Sequence, residues 1–416
     1  MKRFSVFNPE HDLALANGDA HYLAPHNIRE MANDLAPLMD YIEWDTPWGW
    51  DAAIVSRLHK SGILGQELPT DAMLAALRTR SERITAHHLL QQMLPLSEHL
   101  TGESYVCRSL DDIKAYTTQH SHLLLKAPLS GSGKGLRHVK THPNPPCEGG
   151  KSSPVESTSM SPPPPSQGGT GGISSWADAL IRRHGYLTAE PYYDKVQDFA
   201  MEFCATDRRC HFIGYSLFTT DTHGRYDSNL LLSDADIEAR LSAYIPRSVL
   251  HDVCHYVETH ADLIVPAEWD TSRFPITFGI DMMIVRSMTM DNSQFTIDNE
   301  MKICGNPPNQ CHPCSIKLIT HNSQLHKLHP CVEINLRCNM GIVAHEVRRH
   351  LMAPEATGIY RLALFPNHAA LQAFDKEQRA LYPALYRDGL LVQGYCPLTS
   401  TEGNTRHLAY IISKEV

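Results

Sequence analysis

Two stretches of this chain cannot contribute to a packed core, and they decide how the remainder can fold. From Thr141 to Ser174 the sequence carries Pro143, Pro145, Pro146, four consecutive prolines at Pro162 to Pro165, and glycine pairs beginning at Gly149, Gly168 and Gly171. Such a segment buries too little to offset the entropy of ordering it, and a mobile surface insertion is expected. Met288 to His329 is rich in Asn, Gln, His and Cys and weak in periodicity, and a second insertion is expected there. The packable remainder divides into an N-terminal α/β unit at 1–80, a central unit at 81–190 and a C-terminal unit at 191–416.

Patterning within these units alternates. Arg3 to Phe7 and Tyr41 to Trp44 read as strands, with a helix from Asn27 to Met39 between them; Ala52 to Leu58 and Leu74 to Leu94 carry apolar residues at helical spacing. Leu123 to Lys126 reads as a strand, Trp176 to Arg183 as a helix and Tyr186 to Glu190 as a strand. Phe199 to Phe203 and His211 to Phe218 read as a strand pair, and Asp234 to His260 as helix interrupted at Pro246. Strands at Phe278 to Val285 and Cys331 to Leu336 precede a helix at Ala344 to Leu351. The class is α/β in the broad α+β sense, and the alternation implies a parallel sheet.

Charge and hydropathy restrict the function. Lys+Arg of 37 against Asp+Glu of 46 gives a net charge of -9, which offers no broad basic face for a nucleic acid. No apolar run approaches the ~20 residues needed to cross a bilayer, and the start has no signal-peptide pattern. The 11 cysteines lack framework spacing, as expected of reduced thiols in a cytoplasm.

Three elements carry chemistry. Lys126 ends a strand and leads through Ala127-Pro128-Leu129-Ser130 into Gly131-Ser132-Gly133-Lys134-Gly135. Glycines let backbone N–H groups approach a polyphosphate and lysines neutralise it; the spacing matches neither the Walker loop nor the dinucleotide fingerprint, and by itself the segment would serve as a hairpin turn. Glu333, Asn335 and Arg337 alternate along a strand and share one face. A carboxylate beside an amide oxygen suits magnesium, and the arginine can grip a phosphate bidentately; in isolation the triplet would read as a polar edge strand. Asp281 sits in Gly279-Ile280-Asp281-Met282-Met283-Ile284-Val285, where an acid is costly unless paired or metal-bound.

In this order the elements resemble the ATP-grasp superfamily of carboxylate-amine and carboxylate-thiol ligases, over roughly residues 75–350. The resemblance implies a small domain preceding the ATP-grasp fold, a mobile lid at 81–190 and ATP with magnesium as cofactors, manganese being a possible substitute. It implies metal ligation by Asp281, Glu333 and Asn335, with Lys126 and Arg337 as catalytic charges. Nucleotide contacts are implied for Arg83, Lys126, Gly131, Ser132, Gly133, Lys134, Gly135, Glu190 (the hinge acid), Tyr192 and Asp198. Activation of a small-molecule or peptide carboxylate as an acyl-phosphate, then transfer to an amine or thiol, is the implied reaction, and a homodimer is compatible with it. Two departures stand out: a proline-rich insertion after the lid loop, and 51 residues between Asp281 and Glu333. A kinase on the same scaffold and a non-catalytic nucleotide-binding protein are the rival readings.

Cys311-x-x-Cys314 with nearby histidines has zinc-like spacing but no second pair, so an insertion is the better reading. Asn8-Pro9-Glu10-His11-Asp12 follows the first expected strand, where α/β proteins bind ligands; His11 is a candidate substrate contact, and helix capping with solvated charge is the alternative. Trp44, Trp48 and Trp50 suggest an aromatic satellite core.

Overall fold

The computed structural model describes residues 2–130, 135–140, 170–220, 226–287 and 325–414, with the backbone alone at 170–172. Gly131 to Lys134, most of the proline-rich segment and most of the Asn/Cys-rich segment therefore lie outside the described residues.

The first hundred residues are helical: α1 (His11–Asn17), α2 (His26–Leu35), α3 (Ala52–Lys60), α4 (Asp71–Arg80) and α5 (Arg83–Met93). The two strands expected here are not formed. Arg3 to Phe7 lends Val6 O to Trp48 N at 2.7 Å but joins no ladder, and Tyr41 to Trp44 is a turn after a 3-10 helix at Ala36–Asp40. Neither segment has a neighbouring strand to complete its backbone hydrogen bonds. The expected single helix at Leu74 to Leu94 is two, α4 and α5, broken at Ser81-Glu82.

A small sheet follows: β1 (Tyr105–Cys107), β2 (His122–Lys126), β3 (Leu136–Lys140) and β4 (Leu187–Pro191), in the order β1-β4-β2-β3. Helices α6 (Leu110–Thr117) and α7 (Thr170–His184) back it; α7 begins six residues before the expected Trp176. The second sheet has nine strands. They are β5 (Lys195–Thr206), β6 (Arg209–Thr220), β7 (Tyr226–Leu231), β8 (Ile276–Arg286), β9 (His326–Asn335), β10 (Thr357–Leu364), β11 (Leu385–Arg387), β12 (Leu390–Pro397) and β13 (His407–Lys414), in the order β11-β12-β13-β10-β7-β6-β5-β8-β9.

Every ladder in both sheets is antiparallel, which corrects the expected parallel sheet. Much of the alternation that suggested crossovers came from N-terminal helices with no strands between them; neighbouring strands pair antiparallel, some joined directly, as β5 to β6 and β11 to β12, and others with helices between them. Helices α8 (Asp234–Leu241) and α9 (Arg247–Thr259) form around the Pro246 break, α10 (Met340–Leu351) follows β9, and α11 (His368–Leu381) precedes β11.

Period-two burial organises the centre of the large sheet. Phe199, Met201 and Phe203 of β5, Phe278, Ile280, Met282 and Ile284 of β8, and Ile334 of β9 join one apolar cluster with Phe4, Trp50, Leu89 and Leu90 from the N-terminal helical region. The tryptophans do not form one satellite: Trp50 lies in that cluster, whereas Trp48 belongs to a second one around α10, with Trp44 packed against it. Pro330 sits inside β9, at the edge of the sheet, where the register with β8 shifts between Asp281 and Met283; a missing donor is tolerated at an edge bulge. Beyond that bulge the opposite face carries the polar residues.

Candidate active site

Register places the site. Asp281 pairs across to Glu333 and Gly279 to Asn335, while Glu202 pairs to Gly279 and Ala200 to Asp281. Directly opposed residues share a face, so Glu202, Asp281, Glu333 and Asn335 stand together on the side away from the core. Asn335 Nδ2 donates to Asp281 Oδ2 at 3.2 Å. Burial first, then the Glu333 charge, push the Asp281 carboxyl up to about 7. That is the signature of negative charge gathered without enough positive charge to balance it.

Sequence reading places Glu202 only with Asp198 among the acids beyond the Glu190 hinge, not with the metal ligands, although an acid in so apolar a strand was a visible signal. It is 1% exposed, and burial raises its carboxyl to about 8, the Asp281 charge adding to the effect and the Asn339 hydrogen bond opposing it. Asn339 Nδ2 donates to Glu202 Oε2 at 2.7 Å while its Oδ1 caps α10 by accepting from Gly341 N and Ile342 N. The carboxylate fits because Gly279 and Gly341 lack side chains: a Cβ on either would come within 2.3 or 2.1 Å of its oxygens.

A narrow cleft opens beside these strands, lined among others by His11, Asp12, Glu82, Arg83, Ser130, Glu333, Asn335 and Arg337. Arg83 is its centrepiece. A cation in the first turn of a helix opposes the helix dipole, so its place at the start of α5 must be offset by contacts. Its Nε donates to Ala127 O at 3.0 Å, its Nη2 reaches Ser130 Oγ at 3.3 Å, and the same nitrogen lies 2.9 Å from Glu333 Oε1. One guanidinium thus joins the mouth of the glycine-rich segment to the acidic strand. From the far side of that segment, Gly135 O accepts from Ala127 N at 2.9 Å, continuing the antiparallel pairing of β2 with β3.

Arg337, just past the end of β9, is locked to Asp12 by two bonds of 2.9 Å and donates to Asn335 Oδ1 at 3.3 Å. Burial raises the Asp12 carboxyl, but Arg337 outweighs it and holds the group below its usual value. Thus the N-terminal Asn8–Asp12 segment does enter the site.

The remaining expected contacts lie outside the cleft lining. Lys126 Nζ lies 2.5 Å from Glu190 Oε2 and donates to Val332 O at 3.2 Å; both side chains are buried. Tyr192 is exposed and stacked on His122, with ring centroids 4.2 Å apart. Asp198 pairs with Lys195, and burial raises its carboxyl. Among the four, Lys126 ties its pair with Glu190 to the backbone of β9 one residue before Glu333. Gly131, Ser132, Gly133 and Lys134 lie outside the described residues, as do Cys304 to His321 of the zinc-like cluster.

Asp281, its carboxyl raised in pKa, stands in register with Glu333 and beside the Asn335 amide, and this set of oxygen donors fits a divalent cation chemically. Among the described residues no group of three or more His, Cys, Asp or Glu side chains is arranged to hold a metal ion, so a cation here would depend on the Asn335 amide or on atoms of its ligand. The described cysteines are free thiols, and no helix among the described residues is long and apolar enough to cross a membrane.

No protein-family model and no curated protein matches the chain. Among solved structures it is similar to an N5-carboxyaminoimidazole synthase from Aspergillus clavatus in complex with ADP and 5-aminoimidazole ribonucleotide, at TM-score 0.41 and 10% identity over 89% of this chain and 76% of the other. A biotin carboxylase–nucleotide complex from Campylobacter jejuni gives TM-score 0.44 and 8% identity over 89% and 70%, and an L-amino acid ligase from Bacillus licheniformis gives 0.41 and 10% over 93% and 80%. Likenesses this loose carry no functional weight of their own.

Proposed function

We propose that the chain is an ATP-grasp enzyme that uses ATP and magnesium to activate a carboxylate and pass it to an amine or thiol. The observation that carries this reading is the contact of Arg83 with both Ser130, at the mouth of the glycine-rich segment, and Glu333, beside Asp281. A polyphosphate held by the backbone of residues 131–135 would then meet Arg83 at one end and the acidic strands at the other.

Asp281, Glu333 and Asn335 are the residues that would hold magnesium, which when bound neutralises phosphate charge and polarises the transferring group. Arg337, fixed by Asp12, presents a preorganised positive charge to an anionic acyl group in the cleft. Lys126, Glu190, Tyr192 and Asp198 supply a second polar group for the nucleoside, with the Lys126–Glu190 pair opening to bind it. A lid formed by the small sheet and a soluble, cytoplasmic enzyme belong to the same proposal.

The test is thermal stabilisation by a non-hydrolysable ATP analogue with and without magnesium. A ligand at 100 times its Kd stabilises by about 2.7 kcal/mol, so a magnesium-dependent rise in Tm is expected, together with ADP release when an acid substrate is added. A nucleotide response absent or indifferent to magnesium would exclude the reading.

A further inference from the structure

A histidine–aspartate pair faces the same cleft from the N-terminal side. His11, the first residue of α1, is 1% exposed, and its Nδ1 lies 3.1 Å from Oδ2 of the equally buried Asp51. Asp51 is itself fixed. Its Oδ1 accepts from Ile54 N at 2.8 Å at the start of α3, and its Oδ2 accepts from Asn8 Nδ2 at 3.2 Å. Asn8 is anchored in turn by Gly49, donating to its carbonyl at 2.8 Å and accepting from its N–H at 3.2 Å. The imidazole lies so close to Gly49 that a Cβ there would be 2.4 Å from the ring. Ring plane and tautomer are therefore set: Nδ1–H donates to Asp51, which leaves Nε2 as the acceptor nitrogen of a residue that lines the cleft.

The other acids of the cleft wall are already engaged. Asp12 is held by Arg337, Glu82 accepts from Tyr186 Oη at 2.8 Å, and Glu333 is paired with Arg83. Among the described residues lining the cleft, His11 is the proton acceptor with no such commitment. The charged groups around it are Asp51 from the head of α3, Asp12 on its own helix, and Arg337 and Arg83 across the cleft.

We propose that His11 is the general base of the second half-reaction, with Asp51 as the positioning residue that orients it and stabilises the imidazolium it becomes. This rests on the acyl-phosphate reading above. The acceptor amine forms a C–N bond with the acyl carbon and its proton passes to His11 Nε2. The C–O bond to phosphate breaks, its electron pair leaving with the phosphate, and His11 returns the proton to solvent.

Two measurements test this. In the first, the chain is given ATP, magnesium and a pool of the twenty amino acids as acids, with either hydroxylamine or the same amino acids as acceptor. Hydroxylamine attacks as the neutral base and needs no catalyst to deprotonate it. His11→Gln should lower amide formation about 100-fold more than hydroxamate formation. Asp51→Asn should move the same ratio in the same direction by about 10-fold, with KM for ATP held. An equal fall in both products overturns the base assignment alone. A wild-type chain yielding neither ADP nor hydroxamate overturns the acyl-phosphate reading and the step built on it. The second measurement needs no substrate: 15N-histidine NMR of the full chain, with His11→Gln to assign the signal. The neutral ring should be the Nδ1–H tautomer; an Nε2–H tautomer would leave Nε2 unable to accept a proton, and the proposal would fail.

Discussion

The two faces of the β5–β8–β9 strands are made from the same residues in alternation, and they do opposite things. One face carries Met201, Phe203, Phe278 and Ile280 into the main core. The other, one residue out of step, carries Glu202, Asp281, Glu333 and Asn335. The first face gains stability from every side chain it buries. The second buries carboxylates whose raised pKa values record a cost. A sheet this strongly anchored on one side can tolerate charge on the other, and the charged side is where binding energy would be recovered.

If this division holds, changes on the two faces should separate activity from stability. Glu333→Gln removes a charge from the polar face, and nucleotide-dependent turnover should fall by about 10³-fold or more, measured as ADP release. Its ligand-free Tm should stay within a few degrees, because Arg83 keeps its contacts to Ala127 and Ser130 and Asp281 loses a repelling neighbour. A variant that melts early yet keeps its magnesium response would make Glu333 a structural residue.

Phe278→Ala tests the other face. Phe278 is fully buried and stacked on Phe203 with centroids 5.3 Å apart, so the loss should be about 3–5 kcal/mol by denaturant unfolding. A loss below about 1 kcal/mol would show that the core face is not the anchor.

The cost of the polar face should be visible as a pH slope. Glu202 is raised from 4.5 to about 8. Below pH 4.5 it is protonated in both folded and unfolded states and costs nothing. Between 4.5 and about 8 the folded protein retains a proton that the unfolded chain releases, so stability falls as pH rises, by about 1.4 kcal/mol for each unit of displacement at the limit. Glu202→Gln should flatten Tm against pH across this window, and a slope unchanged in the variant would locate the cost elsewhere.

The smallest effect is expected where neither face is involved. Replacing residues 141–169 by a short Gly-Ser linker should leave Tm nearly unchanged, since halving a loop changes closure entropy by only about 0.6 kcal/mol. The boundary stops short of Thr170 because α7 begins there. An insoluble product would mean that the segment packs.

Much of the site was legible in the sequence because it is written along strands. Glu333 and Asn335 share a face by period two, and Asp281 stands out against the apolar residues of β8; both patterns are local and survive into the fold. The parity that hides Phe199, Met201 and Phe203 was equally readable. What could not be read was pairing. The N-terminal Arg3 to Phe7 has a strand's composition and no partner, and only hydrogen bonding to a neighbour makes a strand.

The sequence by itself determined which residues alternate, where chain cannot pack, and which side chains carry chemistry, because these depend on composition and on the fixed periods of helix and strand. Only the tertiary structure decided that the sheets are antiparallel, that Arg83 from α5 joins Ser130 to Glu333, that Asp12 holds Arg337 from 325 residues away, and that His11 meets Asp51 at the cleft. Each of those is a contact between segments remote in sequence, and its geometry depends on where the rest of the chain has packed.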